Sequence, residues 1–148
     1  MQGRSQMGRV VIAAATAIAL AVPATAHART NTRPGPCPLN RWDDEAIQDF
    51  AVRLIECASA RWPVPGGASR AICIARRESG LIPWASSMTG QYLGLFQHSA
   101  AAWPDRFAAW TKPAWELKDD ALNGRSNTVV TIRMVNANGW GAWAGTGC

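Results

Sequence analysis

The amino-acid sequence predicts a small, mainly helical domain with a short hairpin or loop region and stabilising disulfide bonds. Three observations lead to this fold class. Two stretches after residue 43 repeat apolar residues on one helix face, a Gly- and Pro-containing stretch after them excludes a long helix, and four cysteines follow an export-like N-terminus. About 120 residues remain after that N-terminus, which is enough for one core and leaves no room for a second domain.

Residues 1–28 have the composition of a secretory signal peptide. Arg4 and Arg9 precede an apolar run at residues 10–22, and small residues around Ala26 offer cleavage sites. The run is shorter than the roughly 20 apolar residues that cross a bilayer. We therefore expect a secreted, extracytoplasmic protein of the cell wall or periplasm without a stable membrane anchor. An uncleaved N-terminal anchor is the alternative.

Residues 29–42 form the predicted lead-in to the domain, which comprises residues 43–148. The lead-in is rich in Pro, Thr, Asn and Arg and has no apolar periodicity, so we expect extended chain. A first helix follows from one apolar face, formed by Ile47, Phe50, Ala51, Leu54, Ile55 and Ala58. The acidic residues 43–45 complement its N-terminus, and the Pro and Gly residues between 63 and 67 end it.

A second helix is predicted over residues 69–80, with Ser69 as its cap and Gly80 as its C-terminal stop. Its apolar stripe includes Ala71, Ile74 and Ala75, and Glu78 lies on the same stripe. Carboxylates normally face solvent, so the position of Glu78 on a stripe that faces the core requires an explanation. From periodicity alone, a buried ion pair or a helix end turned to solvent is the simpler explanation, and catalysis is the alternative.

The second half of the chain is expected to alternate between loop and short helix. Residues 81–97 contain Pro83, Gly90 and Gly94 among Ser and Thr, which favours a loop with a small hairpin. A short helix is expected within 99–110, and an apolar stripe predicts another over 127–138. The β-branched segment 128–132 leaves a strand as the alternative there. The tail, 139–148, is expected to be irregular and anchored by Cys148.

The cysteines favour disulfides over a metal site. Four cysteines allow three connectivities. We favour Cys57 with Cys73, which would lie on neighbouring helices, and Cys37 with Cys148, which would join the chain ends. A zinc site is disfavoured because no CxxC pair occurs and both histidines are isolated, so no metal is expected. His98 is expected at the surface.

The charge of the chain is modest. Without the predicted leader, 13 basic and 10 acidic residues remain. A net charge of +3 suits an anionic cell-surface polymer and equally an ordinary solvated surface. Nucleic acid is not expected as a partner, because the basic residues form no run and do not alternate with aromatic residues.

Three groups of residues resemble the motifs of one family in their order and spacing. The first is a Glu-Ser pair ending a helix, followed by Pro, Ala and Thr-Gly: Glu78, Ser79, Gly80, Pro83, Ala85, Thr89 and Gly90. The second is the GLFQ tetrapeptide at residues 94–97. The third is an Asn-led helix that runs into a Gly-Trp tail: Asn127, then Gly139, Trp140, Gly141, Ala142 and Trp143. These residues resemble the lysozyme-like superfamily, in particular the soluble lytic transglycosylase (SLT) type that cleaves peptidoglycan.

The resemblance, which covers residues 69–143, implies a lysozyme-like α+β fold with a hairpin beside an active-site cleft. Glu78 is then the catalytic residue, and the substrate-binding residues expected along the cleft are Ser79, Tyr92, Gln97, Asn127 and Trp140. Loop packing is the alternative for Tyr92 and core packing for each tryptophan, the other candidate cleft walls being Trp84, Trp103 and Trp143. The family's Tyr-Asn pair is replaced by Val135-Asn136 and Ala137-Asn138. No cofactor is implied.

Burial against apolar side chains raises the pKa of a carboxyl group, as a general acid near neutral pH requires. In the transglycosylases that the chain resembles, one Glu serves as acid and then as base, and a 1,6-anhydro sugar forms. A hydrolytic lysozyme would more often need a second carboxylate, for which the sequence offers Asp105, Glu116, Asp119 and Asp120. Asp119 and Asp120 are more simply interpreted as helix-start residues. A non-catalytic module that binds cell-wall glycan is the third possibility.

Overall fold

The computed structural model describes residues 34–148, so the predicted leader and the start of the lead-in lie outside the described residues. This part is mainly α-helical, as predicted. Its helices are α1 (Ile47–Arg61), α2 (Gly67–Ser79), α3 (Trp103–Trp110) and α4 (Gly124–Asn138). Two short 3-10 helices cover Pro113–Trp115 and Gly141–Thr146. Within the described range, no helix combines the length and the apolar composition that a membrane crossing needs.

Helix α1 buries the predicted face and begins slightly later than its acidic residues suggest. Ala51, Leu54, Ile55 and Ala58 are buried. Glu45 lies before the helix, where its carboxylate accepts hydrogen bonds from the Arg53 side chain and the Trp42 backbone N–H. The Arg53 hydrogen bond lowers the pKa of Glu45. Arg53 also donates to the Asn40 carbonyl oxygen at 2.9 Å, so this bond and the Trp42 bond fasten the lead-in to the first helix.

Helix α2 ends as predicted and begins two residues early. Gly80 follows its last residue with φ +63°, a left-handed conformation that glycine adopts without a Cβ clash. Ser69 lies inside the first turn and does not cap, because Gly66 is the residue before the helix. The buried residues of this helix are Ala71, Ile74 and Ala75, so Glu78 follows them along one stripe near the end of the helix.

A two-stranded antiparallel hairpin connects α2 to α3, as expected for this loop. Strand β1 is Tyr92–Leu93 and strand β2 is His98–Ser99. Tyr92 pairs with Ser99, and Leu93 pairs with His98. Helix α3 then occupies the second part of the predicted segment and carries Pro104 in its first turn, where a proline costs no hydrogen bond.

Helix α4 is the most buried helix of the described chain, and it begins at Gly124 instead of Asn127. Its cap is Asn123, whose Oδ1 accepts from the Ser126 N–H at 3.1 Å. The strand alternative for 128–132 is wrong, because close packing against α1 and α3 overrides the preference of β-branched residues for strands. Asp119 and Asp120 are not helix-start residues. Asp119 accepts from the Trp103 indole and Asp120 accepts from the Leu122 N–H.

The disulfide pairing differs from the one that the sequence favours. Cys37 bonds to Cys57, and Cys73 bonds to Cys148. The lead-in lies along α1, and the tail forms a 3-10 helix that packs on α2. Each chain end is therefore tied to the helix that it contacts, and the two ends are not tied to each other. Cys148 does anchor the tail, as expected, but on α2.

Candidate active site

Glu78 is a half-buried carboxylate near the end of α2 without a partner. It forms no hydrogen bond or ion pair within residues 34–148, so the buried ion pair that the sequence allowed is not present. Burial raises the pKa of its carboxyl group above the ordinary value of 4.5. Among the described residues, neither a cation nor a donated hydrogen bond offsets this effect. The group therefore stays protonated to higher pH than a free glutamate.

Glu78 lines a pocket of about 260 Å³ together with Tyr92, Gln97, Ala142 and Trp143. These residues come from α2, the hairpin and the C-terminal 3-10 helix. Three other described pockets are larger, at about 320 to 380 Å³, but Glu78 lines none of them. The Glu78 pocket is the better candidate for an active site, because it combines an unpaired carboxyl of raised pKa with converging polar groups.

Gln97 lies in this pocket and also braces the loop before it. Its backbone has φ +50°, and its Nε2 donates to the carbonyl oxygens of Gly94 (2.8 Å) and Ala85 (3.3 Å). The Gly94 N–H donates to the same Ala85 oxygen at 2.7 Å. The Oε1 of Gln97 has no hydrogen bond within the described chain. That atom is free to accept one from a ligand.

Tyr92 also lies in the pocket, with about half of its surface exposed. The same side chain lines a second pocket, which is bordered by residues 89–92 and 99–101. The phenol therefore stands between two neighbouring depressions. Loop packing, the alternative interpretation of Tyr92, does not account for this exposure.

Ser79 serves the site indirectly. It is half-buried and does not line the pocket. Its Oγ lies 2.8 Å from the Leu95 carbonyl oxygen and 3.0 Å from that of Ala75. The two oxygens share the single hydroxyl proton as acceptors. The hydroxyl thus ties the end of α2 to the GLFQ segment. Ser79 positions Glu78, and the prediction that it binds substrate directly is not supported by this geometry.

Asn127 was expected to bind substrate, and the structure corrects this. The residue is fully buried. Its Oδ1 accepts from the Phe96 N–H at 3.0 Å, and its Nδ2 donates to the carbonyl oxygens of Ala121 at 2.8 Å and Leu93 at 3.3 Å. Every polar atom of the side chain is used by backbone. Asn127 therefore holds the GLFQ loop on α4 and presents nothing to a ligand.

Trp140 was likewise expected in the cleft, and it lies in the core. It is 5% exposed, donates from Nε1 to the Pro65 carbonyl oxygen and stacks with Phe96 at a centroid distance of 6.5 Å. Trp143 lines the pocket instead, with its Nε1 donating to the Phe96 carbonyl oxygen at 2.9 Å. Of the other candidate walls, Trp103 is buried and Trp84 is exposed.

The sequence analysis placed Ala142 in the third motif but gave it no role in the site, because an alanine in an irregular tail carries no chemical signal. It also placed His98 at the surface, whereas this side chain is fully buried. The strand that holds it, His98–Ser99, lies outside the predicted hairpin segment 81–97, so the sequence carried no clear signal for this burial.

The candidate second carboxylates do not line the Glu78 pocket. Asp119 and Asp120 are engaged in the hydrogen bonds described above, Glu116 borders a different pocket, and Asp105 lies in the first turn of α3. The described residues also contain no group of three or more His, Cys, Asp or Glu side chains that could hold a metal ion.

Comparison of the chain with protein families, with curated proteins and with solved structures found no match. The geometry of the site and the chemistry of its residues are thus the basis for assigning a function.

Proposed function

We propose that this protein is a secreted peptidoglycan lytic transglycosylase. It would cleave the β-1,4 bond between N-acetylmuramic acid and N-acetylglucosamine, with Glu78 as both acid and base. The observation that carries the proposal is the pocket lined by one unpartnered carboxyl of raised pKa, with no second carboxylate among its described lining residues. Two disulfides fit an oxidising, extracytoplasmic compartment.

The reaction balances with one carboxyl group. Protonated Glu78 donates its proton to the bridging oxygen as the bond from that oxygen to C1 of the muramic sugar breaks, and an oxocarbenium-like transition state forms. The resulting carboxylate then accepts the proton of the C6 hydroxyl of the same sugar. The O6 atom bonds to C1 and closes a 1,6-anhydro ring. Glu78 ends the cycle protonated, and no water enters the products.

The other pocket residues have roles consistent with this chemistry. The Oε1 of Gln97 and the phenol of Tyr92 would hold sugar hydroxyl and acetamido groups beside Glu78. Trp143 and Ala142 would close the opposite side. Ser79 would keep the end of α2, and hence Glu78, fixed against the GLFQ loop.

Hydrolysis by the same pocket is less well supported, since an inverting or retaining hydrolase commonly uses a second carboxylate. A purely glycan-binding module is less well supported for a different reason. Keeping a half-buried carboxyl without a partner disfavours folding. A binding site could accept hydrogen bonds from sugar hydroxyls with an ordinary exposed carboxylate, whereas a general acid requires the raised pKa that burial produces.

The test is mass analysis of the fragments that the protein releases from purified peptidoglycan. Wild type is compared with Glu78→Gln, which keeps the shape of the side chain and removes its transferable proton. Glu56→Gln is the matched control, because Glu56 is an exposed glutamate on α1 outside the pocket. We expect wild type and Glu56→Gln to release fragments one water molecule lighter than hydrolysis products, and Glu78→Gln to release none.

Other outcomes would reject the proposal in distinguishable ways. Fragments of full hydrolytic mass would identify a lysozyme. Equal release by Glu78→Gln would remove Glu78 from the chemistry. Binding of glycan by a folded wild-type protein that releases no fragments would identify a binding module.

A further inference from the structure

His98 is a fully buried imidazole with hydrogen bonds at both ring nitrogens. Its Nε2 lies 2.7 Å from the Oγ1 of Thr131 on α4, and its Nδ1 lies 2.8 Å from a guanidinium nitrogen of Arg106 on α3. The ring also makes edge contacts with Trp103 and Trp143. One side chain of the two-residue strand β2 therefore contacts three helical elements.

The partners fix the tautomer of this histidine. A guanidinium group has only donors, so Nδ1 must accept from Arg106. The Thr131 hydroxyl donates its proton to the Asn127 carbonyl oxygen at 2.8 Å, so it accepts from Nε2. His98 is thus neutral with its proton on Nε2, and burial together with Arg106 lowers its pKa to about 3. The hydrogen bonds run in one direction, from Arg106 through His98 and Thr131 to Asn127.

Three residues of the Glu78 pocket lie next to His98. Gln97 precedes it in the chain. Tyr92 is in the strand that pairs with it, since Leu93 is the register partner of His98. Trp143 packs its ring against the imidazole, with the centroids 5.5 Å apart. The position of His98 therefore affects most of the pocket wall that faces Glu78.

The hairpin is too short to fix its own register. Two strands of two residues each form few ladder hydrogen bonds, and isolated hairpins are marginal in water. Because side chains alternate between the faces of a strand, a slip of one residue would turn His98 outward and would displace the adjoining Gln97. An apolar side chain could fill the same space, but it would accept either register more readily than a histidine that must satisfy both nitrogens.

We propose that His98 is a positioning residue that sets the register of strand β2, on a loop that Asn127 holds at Leu93 and Phe96, and thereby holds Gln97 and Tyr92 in the Glu78 pocket. The consequence for catalysis rests on the proposed function, whereas the consequence for the hairpin does not. His98 would act through the pocket residues and would not touch the glycan.

The variants separate the two hydrogen bonds. His98→Leu removes both and keeps an apolar side chain of similar bulk. His98→Gln places an amide N–H near the position of Nε2 and can keep the Thr131 bond, so it is the conservative variant. Arg106→Met removes the other partner and leaves the histidine in place. Ile132→Val, a core change on α4 outside the hydrogen-bonded chain, is the control for a simple loss of stability.

Two measurements do not require activity. Nitrogen-15 NMR of the wild type is expected to show His98 neutral and protonated at Nε2 at pH 7. Hydrogen exchange reports the hairpin through the Ala100 N–H, which bonds to the Gln91 carbonyl oxygen at 2.8 Å. We expect folded His98→Leu to lose protection at this amide, and Ile132→Val to keep it.

The third measurement is cleavage of soluble peptidoglycan fragments. We expect His98→Leu to lower kcat/KM roughly 10- to 100-fold, as a displaced site residue does, and His98→Gln to recover much of the loss. If His98→Leu does not fold, Arg106→Met and His98→Gln are compared with wild type in the same measurements. A proton on Nδ1, or retained Ala100 protection together with wild-type kinetics in His98→Leu, would overturn the proposal. If the wild type cleaves nothing, the proposed function fails, and the NMR and exchange results still decide the role of His98.

Discussion

The side-chain oxygen of Asn127 accepts a hydrogen bond from the backbone N–H of Phe96 at 3.0 Å, across 31 positions of the chain. This contact, with the bonds from Asn127 to Leu93 and Ala121, fixes the GLFQ loop on α4. The loop passes so close to the amide that Gly94 has no space for a side chain. A methyl group there would overlap the Asn127 amide and the Ala121 carbonyl oxygen.

The first prediction concerns this close approach. Gly94→Ala is expected to lower the free energy of unfolding by about 3 kcal/mol or more, because it adds a steric clash to a left-handed backbone. Gly90→Ala is the matched control, since Gly90 has a similar φ of +69° and open space around it. At Gly90, backbone strain without a steric clash should lower the free energy of unfolding by about 1 kcal/mol. Urea unfolding of both variants measures the difference, and equal losses would contradict the clash.

The second prediction is that Glu78→Gln stabilises the protein at neutral pH. The raised pKa means that the folded state binds the Glu78 proton more tightly than the unfolded state does. The contribution of this group to stability is therefore fully present below pH 4.5 and is lost as pH rises through the folded pKa. The Tm of Glu78→Gln should exceed that of wild type at pH 7, and the difference should shrink toward pH 4. The same pH trend in Glu56→Gln, a change at an exposed position on α1, would contradict this explanation.

The third prediction is the pH dependence of cleavage. Glu78 must be protonated to act as a general acid, so kcat should fall as pH rises through its raised pKa. The midpoint of that limb should lie above 4.5, the ordinary value for a glutamate. Initial rates of fragment release between pH 4 and 9 give the profile. A rate that increases steadily over this range would contradict the acid role.

The fourth prediction concerns acid stability through His98. Its pKa is lowered from 6.5 to about 3 in the folded state, so the neutral form is favoured by folding. Its contribution is fully present above pH 6.5 and is lost as pH falls toward 3. At pH 4 the loss should be roughly 3 kcal/mol relative to pH 7. Urea unfolding of wild type and His98→Gln at both pH values isolates the contribution of the imidazole to stability. The same pH dependence in both proteins would contradict it.

The fifth prediction concerns the disulfides. The loop closed by Cys73 and Cys148 spans 75 positions and that closed by Cys37 and Cys57 spans 20. From loop closure alone, replacing the first pair by alanine should cost about 4.5 kcal/mol and the second about 3 kcal/mol. Loss of the first pair should also slow cleavage, since it frees the tail that carries Ala142 and Trp143. Thermal unfolding and fragment release measure the two effects, and peptide mapping checks the pairing.

Much of the helical structure was predictable because it is encoded locally. The period of Ala51, Leu54 and Ile55 predicted the buried face of α1, and Gly80 predicted the end of α2. The stripe of Ile74 and Ala75 placed Glu78 on the core-facing side of α2, whereas its candidacy as the catalytic residue came from the resemblance of the motifs. Such patterns depend on backbone geometry over a few residues, so neighbours in the sequence are sufficient to predict them.

The start of α4 was harder to predict, since Asn123 and Asn127 are both polar residues near a helix start. Only the observed hydrogen bonds distinguish the cap from the residue that holds the GLFQ loop. The same holds for Trp140 and Trp143. Three positions separate two similar side chains; both are buried in the core, and of the two Trp143 borders the pocket.

By itself, the sequence determined the helical class and the approximate helix positions, because each depends on residues close together in the chain. The candidacy of Glu78 came from the order and spacing of three motifs over residues 69–143. The tertiary structure alone decided the disulfide partners, the burial of His98 and the convergence of Gln97, Ala142 and Trp143 on Glu78. These depend on how distant segments dock. Docking is governed by complementary packing and by the satisfaction of buried polar groups, and neither can be predicted from residues that are neighbours in the sequence.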